Sequence, residues 1–260
     1  ELFFLPRFQP IEILKPFTII LLATVLSSEK DIHIYYKYFL SFFTILPIAL
    51  LLMIQPDIGQ TLLVSLSWLT LIFISGISLF IFIIFFGLSF ITLLYLIFFI
   101  PRFEYIRNRI DSFFHPSTGT HGGQVEKAIE AIISGGFFGK GIGEGTLKNK
   151  VPDAHTDFIV SVISEEFGVV VIILLLIIFL FFIHNVFKKL YSEKDEKIKL
   201  ILAGSITLIL VQTLIHLGVN IRLFPTTGMT LPYLSYGGSS IIGVSILSGI
   251  ILNLTKRKIN

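Results

Sequence analysis

The sequence predicts an all-α polytopic membrane protein, a single transmembrane domain over residues 1–260 with about seven transmembrane helices and one long extracytoplasmic loop. The mean hydropathy of the 260-residue chain is +0.88. Only 14% of the residues are charged, and they cluster between apolar runs. Most of these runs approach or exceed the roughly 20 residues that one crossing needs.

Four of the predicted helices precede the long loop. Residues 10–28 and 38–54 form two apolar runs. The next apolar stretch, residues 58–100, is about twice as long as one crossing needs. Its only plausible turn is at residues 75–78, so we expect two helices joined by a tight hairpin.

The hydrophilic residues 101–157 form the predicted extracytoplasmic loop, which leads to the candidate catalytic motif. A short amphipathic helix is predicted inside it, at residues 124–133. Three further apolar runs follow, at residues 158–187, 200–219 and 233–254.

Residues 134–145, SGGFFGKGIGEG, are named here the glycine loop. Its glycines superficially resemble a phosphate-binding loop. However, no strand precedes them and Lys140 lacks the required spacing, which argues against a nucleotide site. We expect a flexible loop packed on the membrane surface, with anion contacts from its amides as the alternative.

The basic clusters set the orientation. Dense lysines and arginines at residues 188–199 and 256–258 predict a cytoplasmic side there. The loop at residues 101–157 and the loop around Arg222 then lie outside. Seven crossings also put Glu1 outside, which predicts an odd number of helices preceding it.

Composition excludes several classes of site. The net charge of +3 is too small to indicate nucleic-acid binding. The chain has no cysteine, which excludes disulfides and thiolate metal sites. The six histidines are scattered without the spacing of zinc ligands.

The strongest local signal is a polar stripe entering the fifth apolar run. At 100° per residue, Asp157, Ser161, Ser164, Glu165 and Gly168 share one helix face. A carboxylate in a membrane segment costs about 2.5–3.5 kcal/mol, so such residues usually face a cavity, a partner or a substrate. Glu165 would lie about 12 Å deeper than Asp157.

The predicted topology brings acidic and basic residues of separate segments to one leaflet. A substrate with an anionic head and a lipid tail would suit them, because basic groups bind diphosphate and a carboxylate can accept a proton. The candidate residues are Glu12, Lys15, Asp57, Arg109, His155, Thr156, Asp157, Glu165 and Arg222.

Simpler interpretations stay open for several of these residues. Glu12 and Lys15 have the spacing of an ion pair at a helix end that reaches the membrane interface. Asp57 can cap the following helix. His155 can be a loop residue or can orient a neighbour.

The chain resembles the SEDS family of bacterial shape, elongation, division and sporulation proteins, which have about ten crossings. The resemblance covers essentially the whole chain and is closest to the division members. Its motifs, in order, are QPIEILK (9–15), PDIG (56–59), RIDSFFHP (109–116), FGKGIG (138–143), PDAHTDF (152–158) with EEFG (165–168), and LP (231–232) with SYGGSS (235–240).

The resemblance implies a peptidoglycan glycosyltransferase. It would polymerise lipid II, the undecaprenyl-diphosphate-linked disaccharide-pentapeptide, into β-1,4 glycan strands at the outer face of the bacterial cytoplasmic membrane, at the division septum. Asp157 matches the proposed catalytic base of the family. Lys15 and Arg109 would neutralise the leaving diphosphate, and Mg²⁺ or Mn²⁺ is a candidate cofactor.

Glu12, Asp57, His155, Thr156 and Glu165 are further candidates for substrate binding. With Asp157 as the base, His155 and Thr156 would position the site, and Glu165 and Glu166 fit structural or coupling roles better than catalysis. Thr227 stands where many division members carry lysine, so Arg222 is a candidate for that charge. The implied partners are a class B penicillin-binding transpeptidase and other divisome membrane proteins. The competing functions are a lipid II flippase and a non-catalytic divisome scaffold.

Overall fold

The computed structural model describes residues 8–28, 33–115 and 120–256, and all regular structure in these ranges is helical. The all-α membrane fold is confirmed. The α-helices are α1 (Pro10–Leu26), α2 (Ile34–Ile54), α3 (Ile58–Ile74), α4 (Leu79–Phe99), α5 (Glu104–Phe114), α6 (Thr120–Gly135), α7 (Ile159–Phe167), α8 (Val169–Ser192), α9 (Glu196–Asn220) and α10 (Gly238–Thr255).

Five of the described helices, α2, α4, α8, α9 and α10, are long and apolar enough to cross a membrane. Helices α1 and α3 have 17 residues each, slightly fewer than a typical crossing uses. Every predicted apolar run therefore contains a helix, and the count of about seven crossings stays a prediction.

Two local predictions are confirmed in the first half of the chain. Helix α3 ends at Ile74 and α4 begins at Leu79, so the chain turns at residues 75–78 as expected. Asp57 caps α3, because its carboxylate accepts a hydrogen bond from the backbone N–H of Gln60 at 3.0 Å.

The predicted fifth helix is wrong as a single element, because the chain breaks at Gly168 between α7 and α8. Gly168 has φ +84°, and a Cβ there would lie 2.1 Å from the carbonyl oxygen of Phe137. Only glycine fits this position. Asp157 also precedes α7, so it does not share a helix face with Glu165.

Other boundaries also differ from expectation. The long loop is largely helical, with α6 longer than predicted and α5 unforeseen. The last helix, α10, begins at Gly238, since the preceding segment forms a turn. Pro116, the last residue of the RIDSFFHP motif, and residues 257–258 of the last basic cluster lie outside the described residues.

The chain divides into two compact units. The first takes the described residues of Glu1–Thr92, Ile183–Val211 and Gly238–Asn260, and the second takes those of Leu93–Phe182 and Gln212–Gly237. The second unit has an apolar core that joins α6, the segment before α7, α7 itself and the end of α9. Its members include Ala128, Val151, Phe158, Val162 and Val219.

Candidate active site

The residues before α7 form a tight turn around one carbonyl group. The carbonyl oxygen of Asp153 accepts the backbone N–H groups of Thr156 and Asp157 at 3.0 Å and that of Phe158 at 3.4 Å. The Thr156 hydroxyl donates to the same oxygen at 3.1 Å. These bonds fix the backbone from which the Asp157 side chain leaves.

The segment before α10 holds this turn from outside. The Ser235 hydroxyl donates to the carbonyl of Thr156 at 2.6 Å and accepts the N–H of Leu231 at 2.8 Å. The N–H of Tyr236 donates to the carbonyl of His155 at 2.9 Å. The SYGGSS motif therefore both stabilises the turn and starts a helix. We name the hydrogen bonds from Ser235 and Tyr236 to the turn the latch.

The last turn of α9 supplies a second support. The buried Asn220 amide donates to the carbonyls of Asp157 at 3.0 Å and His216 at 2.9 Å. The Nδ1 atom of His216 lies 2.7 Å from the carbonyl oxygen of Met229. Because a carbonyl only accepts, Nδ1 carries the hydrogen of this ring.

A cavity of about 140 Å³ lies beside Asp157. A Cβ built on Gly228 would lie 3.7 Å from Asp157 Oδ2, so the carboxylate is next to the loop that closes the cavity. Asp157 is half-buried. The lining residues are Arg109, Gln124, Asp153, Asp157, Phe158, His216, Val219 and residues 226–229.

Arg109 brings a positive charge to the same cavity. It projects from α5, and its guanidinium donates to the carbonyl of Thr226 at 3.0 Å. Arginine stays protonated and can bind a phosphate through two parallel N–H groups. The cavity therefore joins a proton acceptor and an anion-binding group.

Glu165 lies in the same unit but in a closed environment, with an exposed fraction of 0%. Its carboxylate accepts the backbone N–H groups of Thr146, Leu147 and Lys148 at 2.7–3.0 Å, and Lys140 Nζ lies at 3.4 Å. We name this arrangement the Glu165 clamp. Burial alone would raise the pKa of this carboxyl, but the amides and Lys140 outweigh it, so the pKa lies below its ordinary value.

The glycine loop runs beside the junction of α7 and α8. The loop was predicted to be flexible, but hydrogen bonds to the rest of the protein hold its backbone. For example, the Gly143 N–H donates to the Glu166 carboxylate at 3.2 Å. The backbone pairs are Lys140 N–H to Glu165 O at 2.9 Å, Gly141 N–H to Glu166 O at 3.0 Å, Val169 N–H to Gly136 O at 3.0 Å and Val170 N–H to Phe137 O at 3.3 Å.

The predicted ion pair between Glu12 and Lys15 is present in the first unit, with 2.7 Å between Glu12 Oε2 and Lys15 Nζ. Both side chains are buried, at 2–3% exposure, so the expectation of a pair reaching the interface is wrong. Gln60 Nε2 donates to Glu12 at 2.5 Å, and Gln9 Nε2 donates to the half-buried Asp57 at 3.0 Å.

The structure separates the predicted site residues into distinct settings. Asp157 and Arg109 share the cavity, whereas His155 has an exposed side chain and contributes a carbonyl to the latch. Arg222 is not among the lining residues, and its guanidinium donates to the carbonyl of Phe113 at 3.4 Å. Glu12, Lys15 and Asp57 belong to the first unit.

Several site residues were not foreseen. Gln124, His216 and Asn220 are ordinary polar residues in their local sequence, although His216 and Asn220 have the i,i+4 spacing of one helix face. Asp153 belongs to the PDAHTDF motif, four residues before Asp157, but the sequence did not indicate a role for it. Among the described residues, no group of three or more His, Cys, Asp or Glu could hold a metal ion.

The family model for the FtsW/RodA/SpoVE group, described as "Cell cycle protein", matches residues 3–260. A probable peptidoglycan glycosyltransferase FtsW of Caulobacter vibrioides is 34% identical over 256 residues, which cover 96% of this chain and 63% of the relative. That of Enterococcus hirae is 33% identical over 268 residues, covering 97% and 66%. The chain thus spans slightly under two thirds of these relatives.

Two solved structures are also similar. One belongs to a study of the structural coordination of polymerization and crosslinking by a peptidoglycan synthase complex, with a TM-score of 0.78, 28% identity, and coverage of 97% of this chain and 71% of that chain. The other is the rod shape determining protein RodA of Thermus thermophilus. It has a TM-score of 0.63 and 26% identity, and covers 95% and 65%.

Proposed function

The chain belongs to the FtsW/RodA/SpoVE family of cell cycle proteins, and from this membership we propose that it is a peptidoglycan glycosyltransferase with Asp157 as its general base. The substrate would be lipid II, polymerised at the outer face of the cytoplasmic membrane during septal wall synthesis. One observation carries the assignment of the base: Asp157 and Arg109 line one cavity, so a proton acceptor and an anion-binding group meet there.

The stereochemistry of the reaction calls for a base. The donor sugar is α-linked to diphosphate and the product linkage is β, so a single displacement inverts the anomeric centre. The acceptor hydroxyl oxygen forms the new bond to the anomeric carbon while the bond to the diphosphate oxygen breaks. The hydroxyl proton passes to the Asp157 carboxylate, and the electron pair leaves with the diphosphate. Such help is worth about 10²–10⁴ in rate.

The surroundings of Asp157 suit this role. Its N–H and C=O are held by Asp153 and Asn220, so its backbone is fixed before substrate arrives. The half-buried Asp157 lines the open volume of the cavity. A base positioned in this way needs little rearrangement to reach a hydroxyl group in the cavity.

Arg109 is the group we assign to the leaving diphosphate. Its guanidinium keeps several N–H donors besides the one used by Thr226. Lys15, the other candidate, lies buried in the first unit in an ion pair with Glu12. We therefore propose that Lys15 stabilises the first unit and that Arg109 contacts the anion.

A divalent cation fits the donor set of the cavity. Asp153 and Asp157 are two carboxylates lining one space, and Mg²⁺ is often bound by one or two carboxylates together with substrate phosphates. Asp153 would hold the ion, leaving Asp157 to accept the proton. The ion would supply further neutralisation of the diphosphate.

The test is polymerisation of labelled lipid II by the purified full-length protein with its transpeptidase partner, in detergent. Asp157→Asn should lower the rate by about 10²–10⁴. Asp153→Asn tests the proposed cation site, since it removes the second carboxylate from the same cavity and asparagine tolerates the φ of +51° there. With Mg²⁺ saturating, it should retain much more activity than Asp157→Asn.

The outcomes separate the competing assignments. Full activity of Asp157→Asn would refute the base while leaving the polymerase intact. An inactive wild type that moves lipid II across vesicle membranes would instead indicate a flippase. An inactive wild type without translocation would favour the scaffold.

A further inference from the structure

We propose that the glycine loop is a membrane anchor, with Phe137, Phe138 and Ile142 inserted into the interfacial layer of the bilayer beside the start of α8. Their exposed fractions are 74%, 85% and 77%. Single exposed apolar residues are ordinary, but three within six residues of a non-helical segment form a patch that requires an explanation.

The backbone that presents these side chains is held in place. Residues 136 and 137 accept the N–H groups of Val169 and Val170, the first two residues of α8. At Gly139 the loop passes so close to Glu166 that a Cβ would lie 2.2 Å from its carbonyl oxygen. The loop therefore cannot turn its apolar side chains inward without losing these contacts.

The position of the loop identifies lipid as the occupant. Helix α8 is long and apolar enough to span the membrane, and its first turns expose Val170, Ile173 and Leu174. The loop is paired to the first turn of this span, so its apolar patch continues the exposed face of α8. Phe, Leu and Trp side chains of interfacial segments insert about 5–10 Å into the boundary between headgroups and acyl chains.

The loop and the residues directly after it carry the groups that hold Glu165. Lys140 of the loop supplies the ammonium of the Glu165 clamp, residues 146–148 supply its three amides, and α7 directly follows the turn that contains Asp157. Anchoring the loop would set the depth of this turn relative to the lipid. That consequence rests on the proposed function, because it matters for a lipid-linked substrate, whereas the anchor itself does not.

The test places one reporter in the patch and needs no catalytic turnover. The protein has a single tryptophan, the buried Trp68, whose emission in the wild type can be subtracted. Phe138→Trp keeps an apolar side chain at an exposed position. In vesicles of phosphatidylethanolamine and phosphatidylglycerol, its emission should be blue-shifted and quenched more by bromines near the headgroup than by bromines deep in the acyl chains.

Two control variants calibrate the measurement. Leu174→Trp, on the exposed face of α8, should be quenched more by the deeper bromines. Lys150→Trp, at an exposed polar position, should respond to iodide in the water instead. Water-like emission from Phe138→Trp that iodide quenches would overturn the anchor. Blue-shifted emission that neither quencher reaches would also overturn it, in favour of a protein covering the loop.

Discussion

Asp157 and Glu165 are carboxylates eight residues apart in the chain, and the second unit surrounds them differently. Glu165 is fully buried, with its carboxylate enclosed by three backbone amides and Lys140. At Asp157 the backbone is held by Asp153 and Asn220, and the residue lines a cavity shared with Arg109. One acid is built into the fold, whereas the other is placed next to space for a ligand.

This difference gives a criterion for sorting acidic residues in a membrane protein. The cost of burying a charge applies to both, but it is offset inside the protein for Glu165. Asp157 retains access to a cavity that a substrate can enter. Substitutions at the two residues should therefore have different effects. Substitution of Glu165 should lower stability, whereas substitution of Asp157 should lower activity.

The largest effect is expected at Asp157. Asp157→Asn should lower lipid II polymerisation by about 10²–10⁴, since the proton acceptor is lost while the shape is kept. The thermal unfolding midpoint should fall much less than in Glu165→Ala, because Asp157 is half-buried and lines a cavity, whereas Glu165 is fully buried. A large fall in the midpoint would mean that Asp157 resembles Glu165 and would break the comparison.

Glu165→Ala should instead destabilise the protein by about 3–5 kcal/mol, because it leaves three backbone amides and Lys140 without their shared, buried acceptor. Thermal unfolding in detergent measures this loss. Glu165→Gln is the matched variant, and it should recover part of the stability because its amide oxygen still accepts hydrogen bonds. An unchanged midpoint for Glu165→Ala would refute the clamp.

A smaller change is expected from Arg109→Lys. Lysine keeps the charge but loses the planar fork, so about tenfold in kcat/KM should be lost, which corresponds to about 1.4 kcal/mol. Arg222→Lys is the control, since Arg222 carries the same group outside the cavity lining. Equal losses in the two variants would argue against a specific role for Arg109.

Glu166→Gln sharpens the comparison from the structural side. Glu166 forms an ion pair with Lys148 and accepts a hydrogen bond from the N–H of Gly143. The side chains of Glu166 and Lys148 are both partly exposed. The loss of stability should be about 1 kcal/mol or less, well below that at Glu165. A loss as large as that of Glu165→Ala would show that the clamp extends to both glutamates.

The smallest effect is a pH dependence of the clamp. The pKa of Glu165 lies below its ordinary value of 4.5, so the stability it contributes is fully present above that value and is lost as the pH falls through the folded-state pKa. The stability difference between wild type and Glu165→Gln should stay constant from about pH 8 to pH 5 and shrink in more acidic buffer. A difference that varies across neutral pH would contradict this assignment.

The fold was largely predictable because its signals are local. Each apolar run contains a helix, and the hairpin at residues 75–78 and the Asp57 cap depend on neighbours within a few residues. The break at Gly168 was not predictable in this way. Gly168 packs against the carbonyl group of Phe137, which lies 31 residues earlier in the chain. The helical periodicity of the local sequence gives no information about such a distant contact.

The candidate site was only partly predictable. The motif resemblance singled out Asp157 and Arg109, and both line the cavity. Glu165 was a candidate both for substrate binding and for a structural role, and the groups that bind its carboxylate come from residues 140–148 of the same chain. Local sequence does not identify these partners. A glutamate near a membrane has the same local sequence pattern whether its carboxylate accepts hydrogen bonds from the protein or from a ligand.

The sequence by itself determined the helical membrane class, the positions of the apolar helices and, through its motifs, the family. Hydrophobicity and turn chemistry act over a few residues, and motifs are read directly. Only the tertiary structure decided which carboxylate is enclosed and which borders a cavity. That choice depends on hydrogen bonds between segments far apart in the chain, because desolvation and its compensation are properties of the packed environment.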